Sequence, residues 1–368
     1  MSDNGLIYKI GLTQLEGIGN VLAKNLVRHC GSAEAVFKEK TTLLEKIYGF
    51  GKIKSNSIKK GDWMKKAEKE IKFISEHQIE VLFFNEANYP YRLQNCHDSP
   101  ILLYYKGTAN LNADKIVSIV GTRTPSEYGK EMTKKLIAGL MNENLLIVSG
   151  LAYGVDGLVH EMCLSNQIET VGVVGHGLDR IYPQVNYHLA DKMKNRGGLL
   201  SEFMSGTSPD RENFPKRNRI VAGICDALVV IESKTEGGSL ITAEIATTYN
   251  KDVFAIPGRI GDETSEGCNL LIKRNKAALL ESASDLLYYM NWNRMPQQQK
   301  KTQLSLAVNL SEEESRIVEI LKKSDKIHID TLSCRCEMPI SKISSLLLQM
   351  ELNSVIKSLP GKFISLVH

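Results

Sequence analysis

The sequence predicts an α/β chain in three parts: a small helical region, an open and mostly parallel sheet, and a terminal unit of helices and a hairpin. Three observations carry this reading. Between about residues 80 and 290, five short β-branched runs alternate with helical stretches: IVSIVG (116–121), LLIVSG (145–150), TVGVVG (170–175), ALVVIE (227–232) and DVFAIPG (252–258). Uninterrupted apolar runs of this length read as strands buried on both faces, hence parallel ones. Before them, residues 1 to about 75 carry helical periodicity. After them, a polar stretch separates a last unit with its own start and turn signals.

In chain order, the helical region (1–75) contains a quasi-repeat, Leu15-Glu16-Gly17-Ile18-Gly19 before VLAKNLV and Ile47-Tyr48-Gly49-Phe50-Gly51 before KIKSNSI. Each reads as a turn between two helices, in the manner of a helix-hairpin-helix. Such a turn leaves backbone N–H groups open at a helix start, where they can hold a phosphate. The same glycines also serve simply to turn two helices tightly, and both readings stand. Lys52, Lys54, Lys59, Lys60, Lys65 and Lys66 tilt the balance toward DNA.

In the central part (76–290), four of the five runs end in glycine, which puts adaptable backbone at the carboxyl edge of the sheet, where open α/β folds bind ligands. Helices are expected at 128–142, 155–165, 186–194, 216–224 and 239–249. A segment at 291–309, with Gln297-Gln298-Gln299-Lys300-Lys301, reads as a linker. In the last part (310–368), Ser311-Glu312-Glu313-Glu314 is a capping box opening a helix to about Lys322; a second helix spans 340–352, and VIKSL-PGK-FISLV is a hairpin. This order suggests a small winged helix. Its second helix offers one cation, Lys342, so a protein or dimer contact suits this unit better than base reading.

The totals bound the answer loosely. The chain has 368 residues, 42% of them hydrophobic, which is enough for two or three cored domains. A net charge of +4 is too mild to imply nucleic acid, so local clustering has to carry that argument. Seven cysteines are scattered with no CxxC spacing and read as reduced core residues. The start lacks a basic and then apolar leader, and no run approaches the ~18 apolar residues of a membrane span, so a reducing cytoplasm is expected.

The most informative segment is Phe214-Pro215-Lys216-Arg217-Asn218-Arg219. Three cations within four positions open a helix that continues as an apolar run, although the macrodipole disfavours cations at a helix start. Cations placed beside open backbone N–H groups hold an anion well. Four other elements carry related chemistry at strand ends: Arg123 after Gly121-Thr122, Ser149-Gly150, Gly175-His176-Gly177, and Gly237-Gly238-Ser239. A mononucleotide phosphate needs one such loop. A row of five suits a polyanion laid along the edge, with Tyr182 and Phe214 able to stack unpaired bases.

Other chemistries find little support. No GxxxxGK[ST] occurs, and GHGLDR (175–180) has Arg180 where a dinucleotide fingerprint needs its third glycine. No cofactor or metal signature is present. Asp156 and His160, four apart on one helix face, resemble a catalytic pair without a nearby nucleophile, and a packed neutral histidine is the commoner outcome.

The ordered set IVGTR, SGLAYGVDGLVH, GHGLDRIYPQVN, LLSEF, FPKRNRIVAG, GGSLITAEIA, and FAIPG followed by GCNLLI resembles the DNA-processing protein A (DprA, also called Smf) family over about residues 80–290. The resemblance implies an extended Rossmann-like core between an amino-terminal SAM or helix-hairpin-helix-like domain and a carboxyl-terminal winged helix. It also implies a non-enzymatic, homodimeric protein that binds single-stranded DNA and helps to load the RecA recombinase in natural transformation. Carried over by position, Arg123, Lys216, Arg217, Asn218 and Arg219 would form the phosphate-binding core. Ser149, Gly150, Gly237, Gly238 and Ser239 would line the groove, which Gly177, Tyr182, Phe214 and Lys273 extend. The sequence departs from the family pattern at His176, where threonine is usual, at Gly237, and at Asn275-Lys276. One rival reading remains: GGSLITAE resembles a turn of nucleoside-monophosphate phosphoribohydrolases, in which Glu244 and Arg217 would be catalytic.

Overall fold

The computed structural model describes residues 3–47, 49–51, 54, 58, 62–292, 311–322, 326–353, 355–359 and 361–366. It divides into two compact units, Met1–Asn293 and Arg294–His368. Of the expected linker, residues 293–309 lie outside the described ones, as do Lys52, Lys59 and Lys60 of the amino-terminal lysine group.

The first unit opens with α1 (Asp3–Thr13), α2 (Asn20–Cys30), α3 (Ala33–Lys38), α4 (Thr41–Leu44) and α5 (Asp62–His77). The turn before α2 needs glycine at Gly17, whose φ is 73°. Next come β1 (Glu80–Phe83), α6 (Tyr91–Gln94), β2 (Leu102–Gly107) and β3 (Ile116–Val120), then α7 (Glu127–Gly139), β4 (Leu146–Ser149), α8 (Val155–Ser165) and β5 (Glu169–Val174). The unit continues through α9 (Tyr187–Met193), β6 (Gly197–Ser201), α10 (Asn213–Ile224), β7 (Ala227–Val230) and α11 (Gly238–Thr248). It closes with β8 (Asp252–Ala255), α12 (Glu266–Lys273), β9 (Ala278–Leu279) and α13 (Ala283–Tyr289). All five strands and five helices expected between 116 and 258 are present. The helix expected at Lys216 begins three residues earlier, which leaves Pro215 in the first turn, where its missing N–H costs nothing.

The nine strands pair in the order β1-β2-β6-β5-β4-β3-β7-β8-β9. β3 to β9 run parallel to one another, and β2 joins β6 antiparallel, extending the Rossmann-like core. The carboxyl ends of β6, β5, β4, β3, β7 and β8 therefore lie side by side along one edge. Alternate strand residues feed two cores. Val117, Ile119, Ile147 and Val229 pack with α7, α8 and α13, while Val120, Val148, Val171 and Val230 pack with α10 and α11. β6 escaped the pattern reading because it begins with two glycines, which weaken strand propensity. There a Cβ on Gly198 would come within 2.5 Å of the Tyr105 ring.

The amino-terminal helices share the second of these cores, through residues such as Leu12, Leu26 and Phe50. Polar contacts add to the docking. Asn20 Oδ1 accepts from the Ile101 N–H at 2.8 Å, Ser205 N–H donates to Glu70, and Lys24 Nζ donates to Ser99 Oγ at 2.6 Å. Burial, with Arg28 and Arg219 nearby, pushes the Lys24 ammonium down to about 8. The unfolded chain keeps that proton to higher pH than the folded one, so stability should rise as pH climbs through 8 and be lost again on the way down. Thermal unfolding of wild type and Lys24→Met between pH 7 and 9.5 should show wild type gaining on the variant. A constant difference would refute the shift.

The second unit holds α14 (Glu312–Lys322), β10 (Ile327–His328), α15 (Ile329–Cys336), α16 (Ile340–Leu352), β11 (Ile356–Leu359) and β12 (Phe363–Leu366). Ser311 and Glu314 form the expected capping box, with Glu314 N–H to Ser311 Oγ at 3.2 Å and Ser311 N–H to Glu314 Oε2 at 2.8 Å. The strands pair β10-β12-β11, completing the winged helix. Lys342 on α16 is ion-paired with Glu313. Among the described residues, no helix is long and apolar enough to cross a membrane.

Candidate nucleic-acid interface

Parallel pairing brings the loops after β3, β4, β5 and β7 to one edge, and α10 starts near it after β6. Within that edge the side chains grouped by sequence separate into two clefts, one on each side of the start of α10.

The first cleft is lined by Arg123, Gly150, Tyr153, Tyr182, Phe214 and Arg217, among others. Arg123 is exposed, and its guanidinium sits 5.7 Å above the centre of the Phe214 ring. The aromatic row continues from Phe214 to Tyr182 (6.0 Å between centroids) and to Tyr153 (6.4 Å). Free space is only about 10 Å³, so the rings offer a surface to stack on rather than a hole to enter. Arg217 forms the floor. It is 5% exposed, donates from Nη1 to Val173 O at 2.8 Å, and has no partner for Nε. Burial pushes its pKa down and Asp156 opposes that shift. Gly150 makes this possible, since a Cβ there would lie 1.9 Å from Arg217 Nη1 and 2.4 Å from Asp156 Oδ2.

Lys216 and Arg219 turn the other way, into a cleft of about 650 Å³ against the amino-terminal helices. Lys216 is exposed there. Arg219 is engaged: its guanidinium binds the Glu202 carboxylate and the Asp98 carbonyl, and Nε donates to Lys216 O at 3.1 Å. Arg219 is thus ion-paired with Glu202, and the buried Asp156 carboxylate favours the charge of Arg217 without a direct bond to it, which helps the helix start to tolerate these cations. Asn218 is half-buried between them.

The remaining positions carry support more than contact. Ser149 is fully buried and its hydroxyl donates to Ile119 O at 2.6 Å. Gly177 is buried, with its N–H donating to Thr207 O. Ser239 donates to Ser233 Oγ at 2.8 Å, and a Cβ on Gly237 would meet that same oxygen at 2.3 Å. Gly238 faces open space. Lys273 is exposed at the carboxyl end of α12, which leads back toward the start of β9 and so away from this edge.

Gly154, within SGLAYGVDGLVH, and His176 set the geometry. Gly154 has φ 77° and ψ −126°, and a Cβ there would come within 2.5 Å of the Thr122 and Arg123 backbone. His176 is buried and fixes the Tyr182 loop: its Nε2 accepts the Tyr182 N–H at 3.2 Å while Nδ1 bonds Gly177 O at 2.9 Å. The signal for both was their place among the glycines at the strand ends.

The catalytic alternatives do not assemble. His160 bonds Thr170 Oγ1 at 2.7 Å rather than Asp156, and burial holds its pKa down at about 3, so it stays neutral. Glu244 pairs with Lys276 at 3.0 Å and lines a cleft of about 290 Å³ that excludes Arg217.

Comparison with known proteins gives a consistent result. Residues 80–291 match the family described as DNA recombination-mediator protein A, and residues 301–362 match the DprA winged helix domain. Protein Smf of Synechocystis is 35% identical over 294 residues, covering 78% of this chain and 73% of that protein. DNA processing protein A of Streptococcus pneumoniae has a crystal structure that superposes with a TM-score of 0.63 at 35% identity, over 77% of this chain and 96% of that one. A structure from Helicobacter pylori, described for the single-stranded DNA binding mode of its DNA processing protein A, gives 0.54 at 29% identity, over 59% and 98%.

Proposed function

We propose that this chain, which belongs to the DNA-processing protein A (DprA/Smf) family, binds single-stranded DNA along the carboxyl edge of its sheet without regard to sequence. One observation carries the proposal. Arg123, Tyr182 and Phe214 stand together above the buried cation Arg217, at the point where the ends of β3, β4 and β5 meet. Tyr182 is exposed and Phe214 half-buried; such rings accept any base by stacking, and the cations answer the backbone charge, so the contact has no base code to read. The Helicobacter pylori relative, described for its single-stranded DNA binding, supports the assignment.

Within this reading the protein acts as a homodimer in the reducing cytoplasm and passes the bound strand to RecA during transformation and recombination. Its cysteines are all free thiols, five of them buried. Within this reading the edge holds a strand and does not cut it.

Anisotropy with labelled oligonucleotides tests the proposal. Log K should fall with log salt at about −0.7 per phosphate neutralised, with similar affinity for thymidine tracts and mixed sequences. Combining Arg123→Ala with Lys216→Ala, both at exposed positions, should weaken every sequence about equally and flatten the slope. A salt-independent affinity, or one unchanged in that variant, would move the site elsewhere. RecA filament formation on a strand coated with single-strand binding protein should be faster in the presence of wild type than of the variant.

A further inference from the structure

The larger cleft at the start of α10 supplies only Lys216 to the contact described above. It lies between the helical region and the loop after β6, and its volume of about 650 Å³ is that of a ligand site rather than a packing gap. Four cations line it, Lys66 and Lys69 from α5 and Lys216 and Arg219 from α10, against two carboxylates, Glu70 and Glu202. Glu70 is engaged by the Ser205 N–H and hydroxyl, and Glu202 by Arg219 through one of its two oxygens, Oε2. Lys66, Lys69 and Lys216 are exposed and make no direct pair with a carboxylate among the described residues.

Two further features point to a nucleotide rather than to a bare anion. The first turn of α2 faces the cleft from Gly19 and Asn20, with no side chain capping its N–H groups. Glu202, with 9% of its side chain exposed, has one oxygen, Oε1, without a hydrogen bond. The Asn20 amide lies near enough to favour the carboxylate, but no donor completes a bond to Oε1. An acceptor left free beside apolar Leu12, Ile18 and Phe203 suits the amino or imino group of a base.

We propose that this cleft is a second nucleotide subsite for the same single strand, so that the helical region forms one wall of the DNA site. This rests on the single-stranded DNA reading above. Lys216 and Arg217 are consecutive and line different clefts, so a strand leaving Phe214 passes Lys216 and enters between α2 and α5. Phosphates meet Lys66, Lys69 and Lys216, and a base seats against Glu202.

The test is oligomer length. Full-length wild type, Lys66→Glu with Lys69→Glu, Arg123→Ala, and a control with the same charge change on α7, Lys134→Glu with Lys135→Glu, are titrated with thymidine oligomers of increasing length. The Lys66 and Lys69 variant should match wild type on oligomers that fill only the first cleft. On longer ones it should lose about ten-fold or more and show a shallower salt slope, while the control keeps its affinity. Binding of long oligomers equal to wild type, or an equal loss in the control, would overturn the second subsite while Arg123→Ala still weakens all lengths. Failure of wild type to bind any oligomer would overturn the single-stranded DNA reading, and this inference with it.

Discussion

Arg219→Ala should destabilise the amino-terminal unit by about 3–5 kcal/mol, the usual cost of leaving one member of a buried ion pair unpartnered. Glu202 and Arg219 are 9% and 15% exposed at the side chain, so water reaches the abandoned carboxylate poorly. Burial already pushes the Glu202 pKa up, with Arg219 as the main opposing influence. Removing Arg219 therefore makes the carboxylate take up a proton or draw water into the joint between α2 and the sheet. Chemical denaturation of the full chain, followed by a probe in the first unit, measures the loss. The double variant Arg219→Ala with Glu202→Ala should recover much of it, since no charge is then stranded. Were Arg219 chiefly a free phosphate contact, stability would stay near wild type while DNA affinity alone fell, and the structural assignment would be wrong.

Gly154→Ala should cost about 1–3 kcal/mol for a backbone conformation that only glycine adopts easily, and a similar amount for overlap with its neighbours. Its φ of 77° and ψ of −126° lie outside the regions open to alanine. The overlap is with backbone, Thr122 O and the Arg123 carbonyl group, at 2.4–2.5 Å, so no side chain can swing aside to relieve it. The loop carrying Arg123 must move, and single-stranded DNA affinity should fall along with stability. Gly238→Ala is the matched control, because a Cβ there meets nothing within 4 Å and sits at a helix start. It should be neutral or slightly stabilising. Equal loss in both variants would mean that glycine content, rather than the Arg123 loop, governs the result.

Much of the fold was legible in one dimension. The five β-branched runs became β3, β4, β5, β7 and β8, and α8 and α16 span the residues their periodicity predicts. Ser311 and Glu314 announced their capping box four residues at a time. Elements with weak local signals were not legible: β6 begins with two glycines, and α15 is a short helix beside its partner strand. In both, long-range partners supply what propensity lacks, with Gly197 and Gly198 admitting Tyr105 and β12 pairing with β10.

By itself the sequence determined the class of fold and the residue types gathered along the carboxyl edge of the sheet. Hydrophobic period and glycine placement are local properties, and local properties survive in a one-dimensional string. Only the tertiary structure decided which cations are free. Lys216, Arg217 and Arg219 sit within one helical turn, but Glu202, which pairs with Arg219, lies on another loop, and Asp156, which favours the charge of the buried Arg217, is about sixty residues away in the chain. A charge is spent or available according to what folds against it, and that depends on contacts the linear order does not contain.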